Sequence, residues 1–492
     1  MKKTLAVMLA AILLLAVPAV SLAETMVLFT PWANTSTAED TKLVEEKLEA
    51  MMAEGGLDID LDWIITPTEG NLEKLNSMLD GSTQLDAVTG NIGDALGYMT
   101  QGGIVLPLND LLNEYGKNLL EKIPEAAWIP CTDSQGNIWC IPDYYQWIWQ
   151  GAVIRTDLLA ECELEMPTTL AELEHVMEVF HEKYPDMVVA TGLPWFSDPF
   201  LQGSVSGRGS QQTDWALSED GKVVPSMTLP EYKNMIALYR KWVDNGWLEA
   251  EWLSGNDDSQ SSMWAQGRCA IYFCDPHRAL DWVWGAFRQN NPDATADFIP
   301  PLKNEDGVAY YPMGYGVGRV VWVTTLSHHP EIVVQYLDKM ISEPDFYYTA
   351  MMGIEGTHWV DKGDSWAYPE GIDGNNALYS QVLRPLSWEF LDVLKPMEGT
   401  NPESADVHNR LNEAFNQTTP IRTGLEGFTP DGSELGMYNP IDLYEYLFNI
   451  TIGVGEVDDF DSIVETWYTT GGQELVDAYT AQYQAFAANK AE

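Results

Sequence analysis

Flat aromatic side chains stand beside hydrogen-bonding residues where several predicted strands end. This combination suits a ligand with an apolar C–H face and a rim of hydroxyl groups, because rings cover the face and polar groups bond the rim. Ligands of open α/β sheets bind beyond the carboxyl ends of strands. We therefore looked just after predicted strands and in the predicted crossovers between lobes, and the ligand-binding candidates are Trp32, Gly90, Asn91, Asp143, Trp147, Trp149, Trp195, Asp275, Arg278 and Tyr315.

The densest group lies in an aromatic stretch between two predicted α/β units. Residues 141–150 read IPDYYQWIWQ, which is almost free of charge. In an extended chain Trp147 and Trp149 lie on one face and Ile148 on the other. This pattern predicts that the tryptophan pair reaches a cleft, with core packing between lobes as the alternative.

The other candidates have structural alternatives as well. Trp195 lies in residues 193–198, which lack helical periodicity and predict an aromatic loop. Gly90 and Asn91 are expected directly after a strand, before exposed helix N–H groups, with ordinary turn chemistry as the alternative. Asp275 follows the predicted strand 269–274, and capping of the next helix would also explain it.

Motifs for catalysis are missing from the sequence. It has no G-x-S-x-G, since residues 203–207 place Val at the centre, and it has no H-E-x-x-H or P-loop. A carboxylate pair for glycan hydrolysis stays open because the chain has 74 acids, although no pair stands out. Residues 256–258 (NDD) could hold calcium, but they lack EF-hand spacing and better fit a solvated helix start. We expect no catalysis and no cofactor.

Composition narrows the class of partner. The chain has 492 residues, 26 Lys+Arg against 74 Asp+Glu, a formal net charge of −48, and 19 Trp. The length allows two large domains or about three ordinary ones. Strong acidity argues against nucleic acid, whose phosphates need a basic face, and against anionic lipid.

The N-terminus has the pattern of an export signal. Lys2 and Lys3 precede an apolar run over 5–20, and Ser21 and Ala23 provide small residues before a predicted cleavage at Glu24. A membrane anchor is the alternative, although the run is short for a span. The predicted cleavage site has no cysteine, so a lipid anchor is not supported.

Five cysteines leave at least one unpaired. Cys131 and Cys140 flank a predicted hairpin tip, where cross-strand contact could bring them within disulfide range. Cys269 and Cys274 lie on one predicted strand, about 16 Å apart if extended, which is too far to bridge. Whether Cys131 and Cys140 pair stays open at this point.

Two successive strand–helix patterns carry these residues. The first has strands at 26–30, 58–65 and 85–89 with helices at 39–54 and 71–80. The second includes a helix capped by Thr169 and Glu172, a hairpin at 217–224 and a helix at 230–245. A strand at 317–324 and a helix at 330–341 follow. The pattern predicts sheets with helices on both faces, and strands that cross directly between two lobes.

Four segments together resemble the extracellular solute-binding proteins, especially their long carbohydrate-type branch. These are 153–159 (VIRTDLL), 229–248, 263–273 (MWAQGRCAIYF) and 353–359 (GIEGTHW). The resemblance adds Glu355 and Trp359 as ligand-binding candidates. It implies a two-lobe periplasmic-binding-protein fold of type II character, with the ligand cleft between lobes.

The resemblance also implies a domain plan and a role. We expect a signal peptide at 1–23, lobe 1 at 24–149, lobe 2 at 150–316, a return to lobe 1 at 317–385, and a helical part at 386–492 mainly on lobe 2. The implied protein is an exported, monomeric receptor, periplasmic or extracellular, that passes a sugar to the permease of an ABC importer. A secreted glycan-degrading enzyme and a receptor feeding a sensor kinase are the alternatives. The acidity favours a neutral or amino sugar over a polyanionic glycan.

Overall fold

The computed structural model describes residues 23–30, 38–66, 70–81, 83–91, 104–133, 135–144, 148, 150–205, 215–249, 256–311, 317–371, 398, 404–421, 423–425, 428 and 442–490. The strands are β1 (Glu24–Thr30), β2 (Ile59–Ile65), β3 (Ala87–Asn91), β4 (Ile141–Tyr144), β5 (Gly151–Arg155), β6 (Val188–Gly192), β7 (Trp215–Leu217), β8 (Val223–Pro225), β9 (Cys269–Cys274), β10 (Ala296–Phe298), β11 (Tyr310–Tyr311), β12 (Val317–Val323), β13 (Val360–Asp361), β14 (Trp366–Ala367) and β15 (Thr419–Pro420). The α-helices are α1 (Ala38–Glu54), α2 (Asn71–Asp80), α3 (Asn109–Tyr115), α4 (Lys117–Lys122), α5 (Glu125–Trp128), α6 (Thr156–Glu161), α7 (Leu170–Lys183), α8 (Pro194–Val205), α9 (Tyr232–Asp244), α10 (Asp257–Ala265), α11 (Trp284–Asn290), α12 (Pro330–Ser342), α13 (Pro344–Met352), α14 (Ser404–Asn416), α15 (Leu443–Thr451), α16 (Phe460–Trp467) and α17 (Gln473–Lys490). Within these ranges no helix is both long enough and apolar enough to cross a membrane.

The first large sheet has the strand order β2-β1-β3-β12-β4. β1 pairs in parallel with β2 and β3, whereas β12 runs antiparallel to both β3 and β4. One face packs on α1, α12 and α13 through residues such as Leu48, Leu337 and Phe346. The other face buries Phe29, Val88, Trp322 and the two cysteines Cys131 and Cys140.

The second large sheet has the strand order β10-β5-β9-β6. β6 and β9 are parallel, and β5 runs antiparallel to β9 and β10. Every residue of β9 is buried, which is why this strand reads as an unbroken apolar run. Trp242 of α9 and Trp264 of α10 belong to the core that covers this sheet.

Two segments connect the sheets. The chain leaves the first sheet at the end of β4 and enters the second at Gly151, and it returns from β11 to the start of β12. The Tyr311 hydroxyl donates to the backbone carbonyl of Gln150 at 2.8 Å, so the outgoing and returning segments are joined. The described ends of the two connections thus lie together, whereas residues 145–147, 149 and 312–316 of the predicted crossings lie outside the described residues.

Local sequence signals placed most elements correctly. The alternation in β2 buries Ile59, Leu61 and Trp63. Thr169 accepts from the Glu172 N–H at 3.2 Å, and the Glu172 carboxylate accepts from the Thr169 N–H at 3.1 Å, which completes the expected capping box. These predictions are confirmed.

The prediction of an aromatic loop around Trp195 is wrong. Residues Pro194–Val205 form the helix α8, with Pro199 inside it. Asp198, Phe200 and Leu201 are all buried, so the helix is covered on several sides and has no polar stripe. Periodicity failed here because a helix surrounded by core shows none.

Candidate functional site

One edge of the first sheet gathers most of the predicted site positions. β1, β2, β3 and β4 run in the same direction, so their carboxyl ends lie together with the amino end of the antiparallel β12. Both connections to the second sheet leave from or return to this edge. We call it the crossover edge, defined by Thr30, Ile65, Asn91, Tyr144 and Val317.

Asn91, Arg319 and Asp143 form a row across three strands at this edge. Arg319 of β12 is paired in register with Asn91 of β3 and with Asp143 of β4. Directly paired residues project from the same face of a sheet. Asp143 is only 7% exposed, while Arg319 is half-buried. The row thus places the guanidinium of Arg319 beside the carboxylate of Asp143, a pair that can donate to and accept from ligand hydroxyls, with the backbone of Asn91 on the neighbouring strand.

Gly90 and Asn91 belong to β3, which ends two residues later than the sequence predicted. A Cβ built on Gly90 would lie 2.5 Å from the Trp322 ring. The indole of Trp322 therefore needs glycine at this position for close packing. Gly90 is buried, and its position is set by the sheet rather than by a turn.

The second sheet contributes a matching edge near the crossing. The carboxyl ends of β6 and β9 lie beside the amino end of β5, which groups Gly192, Cys274 and Gly151. The buried Gln260 of α10 donates to the Gly192 carbonyl at 2.9 Å. Gly192 has a φ of +143°, and a Cβ there would lie 2.4 Å from the Phe273 carbonyl oxygen.

Asp275 and Arg278 follow β9 at this second edge. Asp275 is buried, and its carboxylate accepts from the His277 N–H at 2.9 Å, which caps the helical turn that follows. Arg278 donates to the exposed Asp258 of α10 at 2.7 Å. The capping alternative is thus observed for Asp275, and Arg278 is held at the edge by an ion pair.

Trp195 is the second residue of α8, three residues after Gly192, so its backbone lies at the same edge. Its side chain lies outside the described part of the structure. Trp32, Trp147, Trp149 and Tyr315 lie outside the described residues altogether.

Glu355 and Trp359 belong to a tight turn after α13. Their backbones form a bridge, and the Trp359 indole N–H donates to the Gly353 carbonyl at 3.3 Å. His358 in the same turn lies 3.5 Å from Asp40, in the first turn of α1. Because α1 follows the carboxyl end of β1, this contact places the turn beside the crossover edge.

His358 has one defined tautomer in its neutral form. Its Nδ1 accepts from the Ile354 N–H at 2.9 Å, so the proton is on Nε2, which faces Asp40. Burial lowers the pKa of His358, and the Asp40 carboxylate partly offsets this effect. The neutral imidazole therefore stabilises the turn through its contacts with the Ile354 N–H and Asp40.

The segment 256–258 has the features of a helix start. The Asn256 side chain accepts from the Ser259 N–H at 2.8 Å, and Asp258 is held by Arg278. In the described part of the chain, no three His, Cys, Asp or Glu side chains are grouped to hold a metal ion.

Arg319 and Gln260 lie at the two edges and belong to the candidate site, although the sequence analysis did not select them. Arg319 is the one charged residue in the apolar run 317–323, and a charge inside a strand was a usable signal. Gln260 gave no signal, because its contact with Gly192 joins residues 68 positions apart.

Two sheets joined by paired crossings, with polar residues at the facing ends, define a two-lobe solute-binding fold. Residues 34–345 match the profile of the family named Bacterial extracellular solute-binding protein, and the chain belongs to this family. The resemblance found in the sequence is thereby confirmed.

Two curated relatives come from Bacillus subtilis (strain 168). The chain is 26% identical over 363 residues to the polygalacturonan/rhamnogalacturonan-binding protein YtcQ, a match that covers 68% of each protein. It is 22% identical over 479 residues to lipoprotein LipO, covering 89% of this chain and 88% of LipO.

Solved structures of similar fold confirm the two-lobe architecture. The substrate-binding protein FusA of Streptococcus pneumoniae, in complex with kestose, matches with a TM-score of 0.65 at 17% identity, covering 95% of this chain and all of FusA. An HMO-binding solute-binding protein of Bifidobacterium longum infantis matches with a TM-score of 0.67 at 15% identity, covering 94% and 98%. At these identities the likeness shows the fold alone.

Proposed function

We propose that this protein captures a carbohydrate between its two lobes and delivers it to the permease of an ABC importer. The observation that carries the proposal is the Asn91–Arg319–Asp143 row at the edge where both crossings meet. Family membership supports it, as do relatives named for the binding of polygalacturonan and for fructooligosaccharide transport.

The two edges would share the work of binding. On the first lobe, Arg319 supplies donors and Asp143 supplies acceptors for ligand hydroxyls. On the second lobe, the turn after β9 and the first turn of α8 present backbone groups. Trp32, Trp147, Trp149 and Tyr315 are proposed as stacking platforms for sugar C–H faces, with Trp195 at the start of α8.

The proposed ligand is a neutral mono- or oligosaccharide. The protein has a formal net charge of −48, which repels a polyanion that approaches within about one Debye length, roughly 30 Å at low salt. At the row itself the guanidinium of Arg319 and the carboxylate of Asp143 offset one another. The charge of the glycan is thus the property that best separates the ligands we expect to bind from those we do not.

A calorimetric panel tests the proposal. Fructooligosaccharides, manno- and gluco-oligosaccharides and chitooligosaccharides form the neutral and amino-sugar arm, and oligogalacturonides form the acidic arm. We expect saturable binding in the first arm. Binding confined to oligogalacturonides would overturn the charge argument, and stabilisation by a non-sugar solute with no response to any glycan would overturn the function.

The tryptophan platforms have their own test on the same panel. Trp147→Ala and Trp149→Ala should weaken binding of the sugar found, because each removes a stacking surface. Trp242→Phe, a conservative change in the core of the second lobe, is the matched control and should leave affinity unchanged. Unaltered affinity in both crossover variants would remove these residues from the site.

The proposed receptor acts as an exported monomer without a cofactor. Reducing-sugar assays on polymeric glycans should show no hydrolysis beyond the buffer blank, since binding alone is proposed. Dialysis against EDTA should leave ligand affinity unchanged, and light scattering should give the mass of one chain. Hydrolytic release of sugars would instead support the enzyme alternative.

A further inference from the structure

Cys131 and Cys140 close a tight hairpin on the first sheet, and no step of ligand capture uses them. Both side chains are 0% exposed and belong to the cluster that contains Phe29, Val88 and Trp322. Their thiols lie in hydrogen-bonding contact, without a bond between them in this structure.

The hairpin holds this arrangement without help from the sulfur atoms. Thr132 and Ile138 form an antiparallel bridge, and the Trp139 N–H donates to the Cys131 carbonyl at 2.9 Å. Asp133 fixes the tip, because its carboxylate accepts from the Gln135 and Asn137 N–H groups at 2.8 and 2.9 Å.

A second set of contacts ties the tip to the rest of the lobe. The indole of Trp139 donates to Asp133 at 2.9 Å, and Asn109 bonds the Gly136 carbonyl and the Ile138 N–H at 2.9 and 2.8 Å. The approach of the two thiols is therefore a property of the folded backbone. A disulfide needs little further movement when its geometry is already close.

We propose that Cys131 and Cys140 form a disulfide bond in the exported protein. Export into an oxidising compartment is part of the proposed function, and this inference rests on it. Two adjacent thiols could alternatively share a metal ion, but the described residues bring no third His, Cys, Asp or Glu to them. Cys269 and Cys274 sit on one strand and stay reduced.

The step requires an oxidant of the disulfide class, such as an oxidoreductase or oxidised glutathione. One cysteine thiolate attacks the oxidant's disulfide and releases a thiolate; the second cysteine then attacks the mixed disulfide. The pair loses two electrons and two protons, and the oxidant is reduced to two thiols. Burial raises the pKa of the Cys131 thiol, so exchange takes place while the chain folds and not afterwards.

Mass spectrometry of the secreted protein tests the bond directly. Alkylation of the denatured, unreduced protein should label three of the five cysteines, and prior reduction should expose all five. Cleavage before Asp110, Asp133 and Asp143 should give peptides 110–132 and 133–142 joined by one bond, 2 Da lighter than the reduced pair. Five labelled cysteines in the unreduced sample would overturn the proposal.

Refolding and melting add a test that does not depend on sugar binding. Protein refolded from urea with oxidised glutathione should form the bond, whereas reduced folded protein should resist the same oxidant for hours. Reduction before refolding should lower the Tm by roughly 5 °C. Cys131→Ala/Cys140→Ala should lose this sensitivity to reductant, and Cys162→Ala should keep it. Labelling of wild-type protein decides the matter even if the double variant does not fold, and sugar titration of the oxidised sample separates this outcome from that of the proposed function.

Discussion

The hydroxyl of Tyr232 donates a hydrogen bond of 2.7 Å to the carboxylate of Asp198 within the core of the second lobe. Tyr239 donates to the other oxygen of the same carboxylate, and Ser197 lies 2.7 Å from the Tyr239 hydroxyl. The cluster joins α8 to α9 through a group that is entirely buried. Burial raises the pKa of Asp198 to about 6, although the bonds from Tyr239 and Tyr232 act in the opposite direction.

This pKa makes stability depend on pH between about 4 and 6. The folded protein keeps the Asp198 proton in this window, whereas the unfolded chain has released it, so stability falls as pH rises. The change in unfolding free energy should be about 3 kcal/mol and should level off above pH 6. Asp198→Asn removes the titration, so the variant should gain stability relative to wild type by that amount from pH 4 to pH 7.

Urea unfolding across this pH range gives the measurement. Asp458→Asn, an exposed acid on the same lobe, is the control for the general effect of 74 acids. A difference between Asp198→Asn and wild type that stays constant with pH would show that Asp198 does not titrate in the window.

Arg319 should contribute strongly to ligand affinity. Arg319→Ala removes the donor at the centre of the row, and loss of a hydrogen bond to a charged group should weaken sugar binding roughly 10- to 100-fold. Arg319→Lys should fall in between, because an ammonium lacks the planar fork. Calorimetry with the identified sugar measures the effect.

Arg268→Ala is the matched control, since Arg268 is exposed at the amino end of β9, away from the paired edges. Equal affinity in Arg319→Ala and wild type, at equal Tm, would place the ligand elsewhere.

Gly192 should tolerate no side chain. Its φ of +143° and the 2.4 Å approach of a Cβ to the Phe273 carbonyl mean that Gly192→Ala must displace backbone, at a cost of roughly 3 kcal/mol or more. Gly221 also has a positive φ, of +78°, but open space around it, so Gly221→Ala should cost about 1 kcal/mol. Similar urea midpoints for the two variants would contradict the steric argument.

The bond from Tyr311 to the Gln150 carbonyl should matter for both stability and closure. Tyr311→Phe leaves the ring but removes the donor, which should lower the unfolding free energy by about 1 kcal/mol. Because the bond joins the two connecting segments, small-angle scattering of the ligand-free variant should show a broader size distribution than wild type. Tyr310→Phe removes the same group one residue away and serves as control; identical scattering of both variants would leave the bond without a hinge role.

Local chemistry explains which features were predictable from the sequence. Alternation placed the buried face of β2, and the Thr169–Glu172 capping box marked a helix start, because both depend on residues near in the chain. The crossing between lobes followed from the change of character at 141–150. Helix α8 was not predicted, because its burial comes from partners distant in the chain, such as Tyr232 and Tyr239.

The location of the candidate site was more predictable than the residues that compose it. Strand ends pointed to Asn91 and Asp275, the aromatic crossover pointed to Asp143, and the structure places the backbone of each at one of the two edges. Arg319 required knowledge of register, since its neighbours Asn91 and Asp143 lie on strands far away in sequence. Gly90 was expected in a turn after the strand, but it lies within the sheet, where Trp322 packs against it.

Helix α8 runs from the carboxyl end of β6 to the segment that returns to the first sheet. It starts beside Gly192, and Gly203 near its other end packs so closely on the chain that an added Cβ would lie 2.0 Å from the Tyr310 carbonyl oxygen. Tyr310 adjoins Tyr311, which holds Gln150. Twelve residues of helix make a rod about 18 Å long. A helix packed closely at both ends moves as one body, so we expect a displacement of its first turn to be transmitted to the backbone at Tyr310.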